Sequence, residues 1–258
     1  MTKLNSKKFS PLCRSPGVKN VIIDQSGKIL SEIPIDTFAI AGELNDKWLR
    51  LQVGTDEHHL FDCSDPAKPI AKGSVKLQIP NPVGSFPASH EREAALFSHY
   101  LALVDQDAKL QIYDVEDLES GPVRTLEGAQ RLGRSNSYLA YAVDGGICTV
   151  SEVKGSLKKT TRQLCRSEGL KGKENPLLNV SCGEDYMVIW ANDTAEVFRV
   201  SLRDNGPHSF ESIGGAKMPS CNCHGGWYGS VVDDIFITAD AFAGITVMQI
   251  IDPEIPRK

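Results

Sequence analysis

An all-β domain assembled from five copies of one β-meander is the fold class this sequence predicts. Three observations lead there. A strand–turn–strand grammar recurs five times along the 258 residues. Its apolar runs are five to eight residues long, rich in Val, Ile, Tyr and Phe, and bounded by Asp, Asn and Gly clusters that favour turns. No stretch carries the sustained i, i+3, i+4, i+7 apolar stripe of an amphipathic helix.

Residues 1–17 read as a poorly ordered polar arm carrying Lys3, Lys7 and Lys8. Val18–Ile23 and Lys28–Ile33 each have the β-branched content of a strand. The first repeat opens at Trp48, turns at Gly54-Thr-Asp and continues through Leu60–Cys63. The second opens at Tyr100 and turns at Asp105-Gln-Asp before Leu110–Val115. The third runs from Tyr138 over Asp144-Gly-Gly to Ile147–Val150. The fourth runs from Tyr186 over Asn192-Asp-Thr to Val197–Val200, and the fifth from Ile235 over Phe242-Ala-Gly to Ile245–Ile251. The openings stand 52, 38, 48 and 49 residues apart.

In each repeat the opening strand is nearly continuously apolar and the next alternates, as expected when burial falls from centre to edge. A period near 40–50 residues with about four strands per unit is the spacing of propeller blades, each laying one face on the next. The expectation is a single small β-propeller domain over residues 1–258. Five blades are favoured, and Val18–Ile23 keeps six open. Lys28–Ile33 is expected to add to the last blade and close the ring. A β-sandwich of the same strands is the alternative, and the even spacing argues against it.

Leu60-Phe-Asp-Cys-Ser-Asp-Pro-Ala-Lys-Pro-Ile-Ala-Lys-Gly-Ser-Val75 resembles the repeat of the LVIVD-type propellers: an apolar strand ending in Asp, a Ser-Asp-Pro-x-x-Pro link, and a strand closed by Gly-Ser. Leu110-Gln-Ile-Tyr-Asp-Val115 is similar to the last inner strand of a WD-repeat blade, with Tyr-Asp in place of Trp-Asp. Met248–Pro253 is a weaker echo. The Gly-His dipeptide that opens WD blades is missing. The resemblance implies a propeller used as a binding platform, and it carries over no catalytic residue.

Composition narrows the function classes. Hydrophobic residues make up 41% and charged residues 24%, enough for a buried core. A formal net charge of −5 gives no overall field toward nucleic acid. No secretory or membrane-length apolar run occurs, so the expected setting is cytoplasmic, with the nucleus as second choice. Seven irregularly spaced cysteines without a leader argue against a disulfide framework.

Cys221, Cys223 and His224 supply two thiols and an imidazole within four residues, beside Trp227 and Tyr228. They could offer soft metal ligands, but Cys-x-Cys is tight for zinc and no second pair follows. The plainer reading is a Gly-rich loop packed under Trp227. His58-His59, His90 and His99 could act as acids, bases or ligands, or stand as surface and core histidines. On a strand, His58 and His59 face opposite sides. Asp56, Asp105, Asp107, Asp144 and Asp193 recur at turns, where Asp bonds its own backbone; paired acids there could also do acid–base work. Phosphate-loop, nucleophile-elbow and His-Glu-x-x-His motifs are absent from the sequence.

Two segments stand out as rim contacts. Residues 77–90 contain three prolines. Residues 154–173 carry seven Lys or Arg against Glu168 alone, a local balance of +6. Such a run suits an acidic partner, or simply a lysine-guarded edge strand. It has no aromatic residue for stacking on RNA. The sequence therefore supports a non-catalytic scaffold presenting loops to a protein partner, with Trp227, Tyr228, Tyr100, Lys158, Lys159 and Arg162 as binding residues. The alternative is an enzyme acting on a small molecule without metal or nucleotide cofactor (hydrolase, lyase, isomerase or cyclase). Its pocket would lie at the mouth of the propeller channel, and His99, His224 and Tyr228 would be tested first.

Overall fold

The computed structural model describes residues 19–24, 26–35, 39–54, 56–77, 94–143, 146–160, 162–167, 170, 178–191, 193–201, 209–218, 228–240 and 244–254. The chain divides into two compact units, Met1–Thr125 and Leu126–Lys258. In the first, β1 (Val21–Ile23) and β2 (Ile29–Glu32) form a two-stranded antiparallel sheet. A four-stranded sheet follows from β3 (Ala39–Asn45), β4 (Trp48–Val53), β5 (Glu57–Asp62) and β6 (Ile70–Lys76). The next holds β7 (Ala94–Phe97), β8 (Tyr100–Val104), β9 (Lys109–Asp114) and β10 (Arg124–Glu127), in sequence order.

The second unit repeats the plan. β11 (Arg131–Arg134), β12 (Tyr138–Val143), β13 (Gly146–Val153) and β14 (Ser156–Lys159) lie in order, and β15 (Gln163–Leu164) pairs with the start of β13. β16 (Asn179–Cys182), β17 (Tyr186–Ala191), β18 (Thr194–Ser201) and β19 (Ser209–Lys217) form the next sheet. β20 (Tyr228–Val232), β21 (Ile235–Asp240) and β22 (Gly244–Gln249) form the last.

The repeats of the sequence are the centres of these sheets. β4, β8, β12, β17 and β21 begin at Trp48, Tyr100, Tyr138, Tyr186 and Ile235, the residues that open the five repeats. Each opener sits across from the equivalent residue of the following strand: Asp62, Asp114, Ser151, Arg199 and Gln249 respectively. Every residue of β8, β12 and β17 is buried, whereas β5 and β9 share one alternating burial pattern. The strands on the far side, such as β6 and β14, are mostly exposed.

Cores form where one sheet lies on the next. In the first unit, Ile22 and Ile33 pack with Leu51, Phe61 and Cys63. On the other face, Trp48 and Leu60 pack with Leu96, Leu101, Leu103 and Tyr113. In the second unit, Tyr138, Ala140 and Ile147 meet Met187, Ile189 and Phe198, while Val188 and Trp190 on the opposite face meet Val231 and Phe236. Each four-stranded sheet at the middle of its unit is thus apolar on both faces, which is why its inner strands read as continuous apolar runs.

Lys28–Ile33 yields β2, but β2 is hydrogen-bonded to β1, and the last sheet holds three strands among the described residues. Ile33 is 6% exposed and seated with Ile22 against Phe61. The 1–17 arm lies outside the described residues, as do residues 78–90 of the proline-rich segment.

Candidate functional site

The charged groups buried between strands and sheets hold backbone. Arg50 on β4 is 1% exposed and His58 on β5 is 0% exposed. Arg50 Nη1 lies 3.3 Å from His58 Nδ1, and its Nε donates to Glu43 Oε2 at 3.3 Å. A guanidinium only donates, so in this contact Nδ1 takes the accepting role. Glu43 also accepts the Leu96 N–H at 3.1 Å, and Asn45 Nδ2 donates to the Leu96 carbonyl at 3.3 Å. These two side chains fasten β3 to the edge of β7.

Glu196 on β18 plays a similar part in the second unit. It is 0% exposed and accepts the N–H groups of Arg166 and Ser167 at 2.8 and 2.9 Å and the Ser212 hydroxyl at 2.6 Å. Arg199 grips the residues after β22: Nε donates to Asp252 Oδ2 at 2.6 Å, Nη2 donates to Oδ1, and Nη1 donates to Glu254 Oε2 at 2.5 Å. The signal for these groups was a charged residue inside an apolar strand, as in Trp-Leu-Arg-Leu-Gln-Val, but no partner was readable.

Hydrogen bonding from Arg199 holds the Asp252 carboxyl below the usual carboxylate range, and the Ser64 hydroxyl does the same for Asp62. Burial pushes the Cys63 thiol up to about 11 and the Cys182 thiol up to about 12. These two thiols are core residues with little thiolate at neutral pH.

His99 occupies a two-residue loop between β7 and β8. Its ring stacks at 4.1 Å on Tyr100, and its Nδ1 lies 3.3 Å from Ser98 Oγ. Tyr100 is itself 6% exposed and packs on Phe97 at 5.5 Å, so it is a core wall of the first unit. Tyr228 opens β20 and pairs through its backbone with Ala239. Cys221, Cys223, His224, Trp227, His90 and Asp144 lie outside the described residues. Among the described residues, no three His, Cys, Asp or Glu side chains are placed to hold a metal ion.

Alternation put His58 and His59 on opposite faces of β5, and His59, half-buried, pairs with Glu57 at 3.1 Å. Among the turn acids, Asp105 Oδ1 accepts the N–H groups of Asp107 and Lys109, both at 2.9 Å, and Oδ2 accepts from Gln111 at 2.9 Å. That carboxylate builds its turn.

Two exposed features remain. Lys158 and Lys159 are exposed on β14, and Arg162 is exposed in the link to β15, so the structure brings three of the binding candidates to one edge of one sheet. On the last sheet, Val231 and Phe236 face the core, while Val232, Ile237, Ile245 and Val247 are 56%, 37%, 74% and 61% exposed. No helix among the described residues is long and apolar enough to cross a membrane.

No family model and no curated protein matches the sequence. Solved structures do match. Kluyveromyces lactis Hsv2p aligns with 85% of this chain and 70% of its own at 14% identity and a TM-score of 0.52. The computationally designed Ika8 protein aligns with 91% and 69% at 10% identity and a TM-score of 0.55. A chain of the Saccharomyces cerevisiae assembly of Dbp5 bound to Nup159 and Gle1 aligns with 89% and 67% at 11% identity and a TM-score of 0.50. At such identities the likeness shows the fold alone, and that fold is the β-propeller type.

Proposed function

We propose that this chain is a non-catalytic scaffold of β-propeller type that offers its sheet edges and loops to a protein partner with an acidic surface. The observation that carries the reading is the edge formed by Lys158, Lys159 and Arg162, exposed on one sheet of a chain whose formal net charge is −5. A positive patch on an acidic protein steers an oppositely charged surface to one place. The buried carboxylates of Glu43 and Glu196 tie backbone within their units, a structural use of charge that suits a scaffold. One of the matching solved structures comes from an assembly of several proteins, which agrees with a platform role by analogy.

The test is cross-linking capture with the full chain, followed by affinity measurement on each purified partner at two salt concentrations. Charge reversal at Lys158→Glu, Lys159→Glu and Arg162→Glu together is expected to weaken binding about tenfold or more and to flatten its salt dependence. Binding that ignores the triple reversal would remove the proposed surface. Turnover of any small molecule that depends on His99 would replace the scaffold reading with an enzymatic one.

A further inference from the structure

Residues 154–167 carry Lys154, Lys158, Lys159, Arg162 and Arg166 and no acid. The fold lays this run along a single strand. β14 pairs with β13 from Val153↔Ser156 to Val150↔Lys159, and β15 pairs with Ile147 and Gly146. Between the two, the Thr160 N–H donates to the Thr149 carbonyl at 2.9 Å, and Thr160 Oγ1 accepts the Thr149 N–H at 2.9 Å. Gly146 lets β15 come close, since a Cβ there would stand 2.5 Å from the Gln163 carbonyl oxygen. After β15, the Arg166 and Ser167 N–H groups are held by Glu196. The run is thus fixed along the eight residues of β13, about 25 Å at the rise of a strand.

These cations differ from those of the equivalent strand in the first unit. On β6, Lys72 and Lys76 each have a carboxylate, Glu116 at 2.8 Å and Asp56 at 3.5 Å. Among the described residues no carboxylate pairs with Lys154, Lys158 or Arg166, and all three are exposed. Lys154 is unusual in a second way. It stands at the tip of the β13–β14 hairpin with φ of 52°, beside Gly155 at 73°. A two-residue turn of this hand favours Asn, Asp or Gly, so the lysine is held there against backbone preference. What the position gains from lysine is a charge at the end of the row. An apolar group joins the row as well: Leu164 is 59% exposed, between Arg162 and Arg166 in the chain.

We infer that this row binds an extended acidic polypeptide segment, with carboxylates on Lys154, Lys158 and Arg166 and an apolar side chain on Leu164. The inference rests on the scaffold reading and names the form its partner takes. Charge complementarity asks for an anion, and three features select a polypeptide. The run has no aromatic residue on which a base could stack. Lys159 Nζ lies 5.6 Å from the ring centre of Tyr141, but that ring is 0% exposed. Leu164 offers an apolar contact that a bare polyphosphate cannot use. The cations follow one line, whereas a membrane meets a plane. Acidic segments stay unfolded until bound, and a row already fixed in place lowers the ordering cost of holding one.

Fluorescence anisotropy on the full chain tests this, with fluorescein-labelled Glu-Asp-Glu-Leu-Glu-Asp-Glu-amide as the probe. The peptide should bind, and its affinity should fall about tenfold between about 0.05 and 0.3 M salt. Lys158→Glu with Arg166→Gln should weaken binding about tenfold or more, and Leu164→Ser about fivefold. Lys154→Asn separates docking from folding. Asn suits the left-handed turn, so resistance to denaturant should hold or rise while peptide affinity falls. Three results overturn the inference: no binding at about millimolar peptide, affinity that any of these variants leaves unchanged, or tighter binding of a single-stranded oligonucleotide or of phosphatidylserine vesicles than of the peptide. Each still permits capture of a folded acidic surface by Lys158, Lys159 and Arg162, so failure here is distinguishable from failure of the scaffold reading.

Discussion

Gly229 lies where Trp190 and Phe236 close over β20. A Cβ added at this position would stand 2.4 Å from Trp190 Cη2, 2.8 Å from its Cζ2 and 2.9 Å from Phe236 Cε2. Trp190 is 2% exposed and Phe236 1% exposed, and their rings sit 5.2 Å apart, so neither has room to retreat. Gly229→Ala is therefore expected to cost about 1–3 kcal/mol by overpacking. Denaturant unfolding measures it, and the double variant with Trp190→Phe should lose less than the sum of the singles because the clashing atoms are gone. Additive losses would mean that the ring is not the obstacle. Gly73 and Gly214 serve another purpose: with φ of 132° and 152° they sit at matching bulges of β6 and β19, a conformation that side chains resist. The Gly-Ser that closes the LVIVD-like segment thus has a backbone reason.

Sheets in this protein are joined by side chains that reach backbone as well as by apolar packing. The clearest case is Glu196 on β18, whose buried carboxylate receives two N–H groups from the Arg166-Ser167 link. Removing it leaves those donors and the Ser212 hydroxyl without their acceptor in a dry site. Glu196→Ala should cost about 2–4 kcal/mol, more than a transfer estimate for the side chain would suggest, because unmade buried hydrogen bonds are expensive. Calorimetric or denaturant unfolding of Glu196→Ala and Glu196→Gln checks it: the amide keeps one acceptor and should lose less. Equal losses in both variants would point to packing rather than hydrogen bonding. The link that Glu196 holds follows β15 on the sheet bearing the basic edge, so loosening it should also raise exchange at Gln163 and Leu164.

At the scale of the whole molecule, acid should act on both units. Asp62 in the first and Asp252 in the second have carboxyls held below their ordinary range by the Ser64 hydroxyl and by Arg199. A carboxyl whose folded pKa is lowered contributes stability that is fully present above the ordinary value of about 3.9 and is lost as pH falls through the lower folded value. Stability should hold down to about pH 4 and fall below it. Asp252→Asn should flatten that acid limb in urea titrations run from pH 5 to pH 2. An unchanged limb in the variant would show that the Arg199 grip does not set the acid response.

What the sequence determined by itself is the meander. The openers Trp48, Tyr100, Tyr138, Tyr186 and Ile235 mark the first residue of five strands, because apolar continuity and Asp/Gly turns are local signals. The turn role of Asp105 was legible for the same reason. Strands such as β7 and β16 were not legible, since four residues carry too few alternations to declare a period. The partner of β2 and the ties of Glu43, Glu196 and Arg199 were decided only by tertiary structure. The backbone and carboxylate partners that Glu43, Glu196 and Arg199 tie lie 29 to 55 residues away along the chain, and a strand's pattern states which face is buried without naming what it is buried against.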